Sequence, residues 1–250
     1  MVYNKDMGRV SIGTSGYNYQ DWKGNFYPDH LPQKEWLHYY SERFSTIEIN
    51  ASFYGNLSKT TYQKWAGQVG KNFIFSIKGS RFITHIKRLR DVNDSIKRFF
   101  DGAEGLEEKL AVVLWQFPSN FSFEKDHGEK LDRLQQFFSL LPKTVRHVCE
   151  FRHDSWYVEH TFTLLDNYNI GFVMNDSSVF PKTEHITGSI VYIRFHGPDD
   201  LYSSLYTDSQ LKEWAKKIKV YQKNYDVYCY FNNDVNGYSI KNAGTLKGLL

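Results

Sequence analysis

The sequence predicts a single (β/α)8-type barrel domain spanning residues 1–250. Three observations carry that reading: eight short β-rich runs, helical patterns in most gaps between them, and a length of 250 residues. Strands that alternate with helices form parallel sheets, because parallel neighbours need a long crossover connection. Eight such units in about 250 residues is the ordinary scale of a closed barrel. A doubly wound open sheet is the alternative architecture.

Enrichment in β-branched and aromatic residues marks the strands. They are RVSIGTS (9–15), TIEIN (46–50), FIFSIK (73–78), AVVLWQF (111–117), VRHVCEF (145–151), GFVMND (171–176), SIVYIRF (189–195) and DVYCYF (226–231). In the first gap, Leu31–Phe44 has Pro32 in its opening turn and places Trp36, Leu37, Tyr40 and Phe44 on one helical face. Ser58 is placed to cap a helix that buries Tyr62, Trp65, Ala66 and Val69. Ile96, Phe99, Phe100 and Ala103 line the next helix. Leu131, Leu134, Phe138 and Leu141 line a longer one, which Pro142 stops.

A helix over 155–168 follows a cap at Asp154. Asp208 opens another with Leu211, Trp214, Ala215, Ile218 and Tyr221 inward, and the last ten residues suit a closing helix. Between Asp176 and Ser189 the chain has Pro181 and no helical period, so the sixth helix is expected to be reduced or missing. Gly16–His30 and Lys78–Arg90 are long enough to form loops over one end. No linker, composition shift or internal repeat divides the chain.

Composition excludes several classes. Apolar residues make up 41% and aromatics 17%, far too many for a disordered chain. Lys and Arg exceed Asp and Glu by 31 to 28, a net charge of +3 that suits an anionic ligand and disfavours nucleic acid as a partner. The most basic stretch, 82–100, carries Lys87, Arg88, Arg90, Lys97 and Arg98, but Asp91 and Asp94 interrupt it. Cys149 and Cys229 stand alone inside apolar strands, with no CxxC, which points to packing residues in a reducing cytoplasm. No apolar run approaches the roughly 18 residues of a membrane span, and the N-terminus shows no signal-peptide pattern.

Function is expected where the strands end, because barrel enzymes work at the strands' C-terminal face. The strands here finish in Thr14-Ser15-Gly16-Tyr17, Glu48 and Asn50, Lys78, Gln116, Glu150 and Arg152, Asn175-Asp176, Arg194 and His196, and Asn232-Asn233-Asp234. Taken singly, each has a bland explanation, such as a structural ion pair in the barrel core. Taken together they mark a polar pocket, because buried charge persists where partners or ligands offset it.

Seven tracts in order, GTSGYNYQDWKGNFYP, EINASFYG, FSIKGSRFITH, WQFPSNF, EFRHDSW, YIRFHG and FNNDVNGYSIKNA, resemble the YecE-like proteins, domain of unknown function 72. The resemblance spans essentially the whole chain, with Ala51 where the family usually has a small polar residue. It implies a TIM-type barrel with a shortened sixth connection, and it implies no activity.

The residues themselves favour acid/base chemistry on a small polar anionic metabolite, such as a phosphorylated or carboxylated sugar. Hydrolysis or isomerase/lyase-like proton abstraction is the expected reaction class. Glu48 and Glu150 are the candidate acid/base pair, with His196 as proton carrier. Lys78, Arg152 and Arg194 would bind the anion. Tyr17, Tyr54 and Trp156 would wall the pocket, and Asn50, Gln116, Asp176, Asn232 and Asp234 would orient groups. No resident cofactor is expected. A divalent metal held by Glu48, Glu150, Asp176, His196 or Asp234 is a competing reading, without a local motif such as HExxH. A metal-dependent, nuclease-like barrel and a non-catalytic small-molecule-binding protein also compete. GxGxxG, GxxxxGK and GxSxG are all absent.

Overall fold

The computed structural model describes residues 7–123 and 128–250. Eight parallel strands run in the order expected of a barrel: β1 (Val10–Thr14), β2 (Thr46–Ile49), β3 (Ile74–Lys78), β4 (Leu110–Phe117), β5 (Arg146–Phe151), β6 (Gly171–Asp176), β7 (Ile190–Phe195) and β8 (Asp226–Phe231). From β2 to β8 each strand pairs with the next, and β8 pairs in turn with β1. All eight coincide with the predicted runs to within one or two residues.

The seam between β1 and β2 is closed differently. It has one bridge, at Ser15 and Glu48, where the Gly16 amide donates to the Glu48 carbonyl at 2.8 Å. Lower down, the Tyr40 hydroxyl stands in for the missing ladder: it accepts from the Thr14 amide (2.9 Å) and donates to the Thr46 carbonyl (3.1 Å). Gly13 makes this approach feasible, since a Cβ there would sit 2.2 Å from the Thr46 carbonyl oxygen. The barrel is therefore nearly closed, with a buried tyrosine as its fastener.

Alternation along the strands sorts the side chains into two environments. Val112, Leu114, Val148, Val173, Ile190, Tyr192, Tyr228 and Tyr230 pack together inside the barrel. Their neighbours, among them Ile47, Phe75, Trp115, Phe151, Phe172, Ile193 and Phe231, face the helices in a second, larger core. The helices are α1 (Trp36–Ser41), α2 (Ala51–Tyr54), α3 (Lys59–Gly67), α4 (Asn93–Ala103), α5 (Glu129–Ser139), α6 (Glu159–Asn167), α7 (Asp208–Tyr221) and α8 (Tyr238–Gly248). No helix joins β6 to β7, as Pro181 and the missing period predicted.

Several local expectations needed correction. The α6 region opens with a short turn over Asp154–Trp156 that is capped by His153, whose ring accepts from the Ser155 amide, and not by Asp154. Thr207 caps α7, one residue before Asp208, and shares a capping box with Gln210. Ser58 does cap α3, accepting from the Thr61 amide, but only Tyr62 of its apolar face is fully buried. Among the described residues, no helix is long and apolar enough to cross a membrane.

Candidate functional site

The same alternation that fills the barrel with Val, Leu and Tyr delivers polar groups to its top layer. Glu48, Lys78, Gln116, Glu150, Asn175 and Arg194 lie two residues beyond inward-facing core positions, and all are buried. Arg194 is the centre of this layer. Its Nε and Nη2 bind the two oxygens of Glu48 at 3.1 and 2.7 Å, and its Nη1 binds Glu150 at 2.6 Å. Glu48 also accepts from the hydroxyls of Ser15 and Tyr192. Glu150 takes a second guanidinium, Arg152, whose Nε donates at 2.9 Å.

Two carboxylates and two guanidiniums thus cancel in a cluster that is buried except where Arg152 meets the cavity. Burial works to raise the Glu150 carboxyl, but the Arg194 and Arg152 guanidiniums outweigh it and lead in holding it well below the usual carboxylate range. His196 sits beside the cluster, buried, and desolvation followed by the Arg194 charge pushes its imidazole down to about 3. A neutral ring donates through one nitrogen and accepts through the other. Both nitrogens face amides, Asn232 at 2.7 Å and Asn175 at 3.0 Å, so one amide presents its NH2 and the other its oxygen. This histidine is wired in place.

Above the cluster opens a cavity of about 620 Å³, lined by Tyr19, Asn50, Phe53, Tyr54, Lys78, Arg81, His85, Gln116, Arg152, Arg194, Tyr202, Asn232 and Asp234. The short α2 supplies Phe53 and Tyr54, and a single π-helical turn after β3 (Phe82–Ile86) supplies His85. Just past that turn, Arg88, Leu89 and Asp91 all adopt positive φ, a concentration of strained backbone typical of functional loops. Arg152 is oriented by the Tyr202 hydroxyl (3.2 Å) and by the Phe180 ring, 4.1 Å from its guanidinium carbon.

Two lining groups titrate near neutrality. Burial, then the Arg194 charge, push the Lys78 ammonium down to about 7, against the pull of Glu150 and Glu48. Burial pushes the Asp234 carboxyl up to about 7, while the Tyr19 and Ser239 hydroxyls and Arg194 act the other way. One oxygen of Asp234 is buried with no hydrogen-bond partner. His85 falls to about 4 through burial and the Lys78, Arg152 and Arg81 charges, and is neutral. Among the described residues no three His, Cys, Asp or Glu side chains converge as metal ligands would.

Residues 11–250 match the family described as "Protein of unknown function DUF72". The chain belongs to the DUF72 family. It is 26% identical over 277 residues to the UPF0759 protein YunF of Bacillus subtilis (strain 168), covering 96% of this chain and 94% of that protein. A crystal structure of a DUF72 family protein from Thermotoga maritima MSB8 superposes with a TM-score of 0.86 at 29% identity, covering 96% of this chain and 98% of that one. One from Enterococcus faecalis V583 superposes with a TM-score of 0.82, at 20% identity and over 96% of this chain and 95% of that one, a likeness that shows the fold alone.

Of the residues expected at the site of this DUF72 chain, Asn50, Tyr54, Lys78, Gln116, Arg152, Arg194, Asn232 and Asp234 line the cavity. Glu48, Glu150 and His196 lie beneath it, fully buried. Three expectations fail on position. Trp156 is in the outer core, stacked on Phe121 and Phe151 with its indole N–H on the Phe121 carbonyl. Asp176 points outward because its neighbour Asn175 points inward, and it pairs with Lys182 and Trp214. Tyr17 packs against the core under the first loop and does not reach the cavity. Tyr19, Tyr192 and Tyr202 were missed. Tyr192 was findable, two residues before Arg194, whereas Tyr19 and Tyr202 sit in loops that no periodicity marks.

Proposed function

We propose that this protein is an enzyme performing acid–base chemistry on a small anionic metabolite, such as a phosphorylated or carboxylated sugar, at the mouth of the barrel. Proton abstraction of the isomerase/lyase kind, or hydrolysis, is the reaction class. One observation carries the reading: the cavity joins positive charge without counter-ions to two groups that titrate near pH 7. Arg81 and Lys78 have no ion-pair partner among the described residues, and the Nη1 of Arg152 is likewise free among them. Arg81 and Arg152 would hold the anion, whose charge suits their planar donors.

The acid/base roles pass from the two glutamates to Lys78 and Asp234. Glu48 and Glu150 are both turned onto the Arg194 guanidinium, at 2.7 and 2.6 Å, so their work is to fix the guanidiniums, not to move protons. They are also the strongest candidates for metal ligation, and every one of their oxygens already faces an arginine, so no metal is invoked. Buried free thiols at Cys149 and Cys229 fit a reducing cytoplasm as the protein's location.

The test is a thermal-shift screen with sugar phosphates, sugar acids and inorganic phosphate. Binding to the native state alone stabilises by about 2.7 kcal/mol at a hundredfold excess over Kd. Arg81→Ala, which removes no side-chain hydrogen bond or ion pair among the described residues, should change the free protein's midpoint little and weaken the anion roughly tenfold. A screen in which no anion raises the midpoint would overturn the reading.

A further inference from the structure

We propose that Lys78 is an imine-forming lysine, so that the anion bound in this cavity is an aldehyde or ketone. The inference rests on the anionic reading of the site and narrows its substrate class to anionic carbonyl compounds.

The placement of Lys78 is the first support. The side chain ends β3 at the cavity wall and is 9% exposed. Its backbone is pinned: the Ser52 hydroxyl donates to the Lys78 carbonyl at 2.7 Å, and the Gly79 amide donates to the Leu114 carbonyl at 2.8 Å. Gly79 must lack a side chain, since a Cβ would meet the Trp115 ring at 2.2 Å. The chain is therefore built closely around this one position.

The second support is what Lys78 does not touch. Two carboxylates share its layer, yet each is turned onto an arginine, and the lysine nitrogen has neither an ion pair nor a hydrogen bond among the described residues. It lies instead over the face of Phe53, 4.1 Å from the ring centre. A structural lysine would have taken Glu48 or Glu150, and anion binding is already served by planar guanidiniums. An amine that is desolvated beside other cations and free of a counter-ion loses its proton readily, which is how lysines are activated as nucleophiles. The groups acting on it are Arg194, Arg152, Glu150 and Glu48, with His85 neutral nearby.

The Lys78 nitrogen lone pair attacks the carbonyl carbon, and the carbonyl oxygen takes up the proton that the nitrogen sheds, giving a carbinolamine. A second proton converts that hydroxyl to water, which leaves as the nitrogen forms C=N. Overall, an amine, a carbonyl and one proton give a protonated imine and water. Asp234, whose carboxyl burial pushes up to about 7 so that a large fraction keeps its proton at neutrality, is the cavity's donor for the second proton. The positive imine then withdraws electrons from the adjacent carbon, which is what proton abstraction or carbon–carbon cleavage requires.

Pyridoxal 5′-phosphate, used as a reporter carrying both an aldehyde and a phosphate, tests this on the intact protein. At pH 7 an amine titrating near 7 is free about a thousandfold more than an ordinary lysine, and a Brønsted slope like that of thiols returns about thirtyfold of this. Borohydride reduction followed by peptide mapping should therefore place label on Lys78 roughly thirtyfold faster than on exposed lysines. Inorganic phosphate should protect Lys78 from pyridoxal 5′-phosphate, while pyridoxal, lacking the phosphate, should keep only the preference that the weak basicity of the amine gives and should be insensitive to phosphate. Label spread evenly over surface lysines would overturn the imine. If phosphate still stabilises the protein in that case, the anion site stands and only the imine fails. If phosphate does not bind either, both fail.

Discussion

Two cavities of similar size lie at this end of the molecule, about 620 Å³ at the barrel mouth and about 590 Å³ on the outer side. The outer groove runs between the helix-free β6–β7 connection and α7, where a sixth helix would otherwise pack. Its charges are satisfied. Asp176 accepts from Lys182 at 3.0 Å and from the Trp214 indole at 2.8 Å, while Glu184 takes Lys217 and the Tyr221 hydroxyl. At the mouth, by contrast, the paired charges are sunk into the floor and the unpaired ones face the space. The comparison teaches that volume does not distinguish a site from a gap in the packing. Unspent hydrogen-bonding and titrating groups do.

The sharpest way to break that distinction is to attack the floor. Arg194→Met leaves Glu48 and Glu150 buried without their shared cation, and stability should fall by roughly 3–5 kcal/mol. Urea unfolding measures it. A loss below about 1 kcal/mol, the scale of a surface pair, would mean that the floor is no structural layer, and Glu48 and Glu150 would regain their claim as proton carriers.

A smaller effect separates the floor from the wall. Lys78 binds its proton more weakly when folded, about 7, than the roughly 10.4 of an unfolded lysine. Above pH 7 the unfolded chain therefore holds more protons at this position, and folding gains stability as pH rises. The slope from this one group approaches about 1.4 kcal/mol per pH unit. The clean window is pH 7 to about 8.5, below the point at which the cysteines of the unfolded chain ionise. Lys78→Met should remove that slope, seen as the difference between the two pH–stability curves. Parallel curves would show that Lys78 stays charged in the folded protein.

How much of this was legible beforehand follows from period-two alternation. The strand runs located every strand because a parallel barrel buries both faces of its strands and leaves continuous apolar runs. The same rule placed Glu48, Lys78, Glu150 and Arg194 on one layer. Applied strictly, it would also have turned Asp176 outward and brought Tyr192 in. What no pattern could show is which carboxylate faces which guanidinium. The demotion of Glu48 and Glu150 and the promotion of Lys78 and Asp234 depend on pairings between residues more than 40 positions apart, such as Arg194 with Glu150 and with Glu48. Trp156 was misplaced for a related reason: an aromatic after a strand packs on the outer core as readily as it walls a pocket.

The smallest expected effect sharpens the comparison from the other side. Lys182 is a half-exposed lysine in the outer groove, and Asp176 keeps the Trp214 indole as a donor without it. Lys182→Ala should therefore cost no more than about 0.5 kcal/mol and leave phosphate binding where it was. The informative result is the pairing of this variant with Arg81→Ala in one titration. Each removes one partly solvated cation from the rim of a cavity, so nonspecific loss of positive charge would weaken phosphate equally in both. A site defined by counter-ion-free groups responds only to Arg81. If Lys182→Ala weakens phosphate and Arg81→Ala does not, the anion binds in the gap left by the absent helix, and the barrel mouth loses its claim.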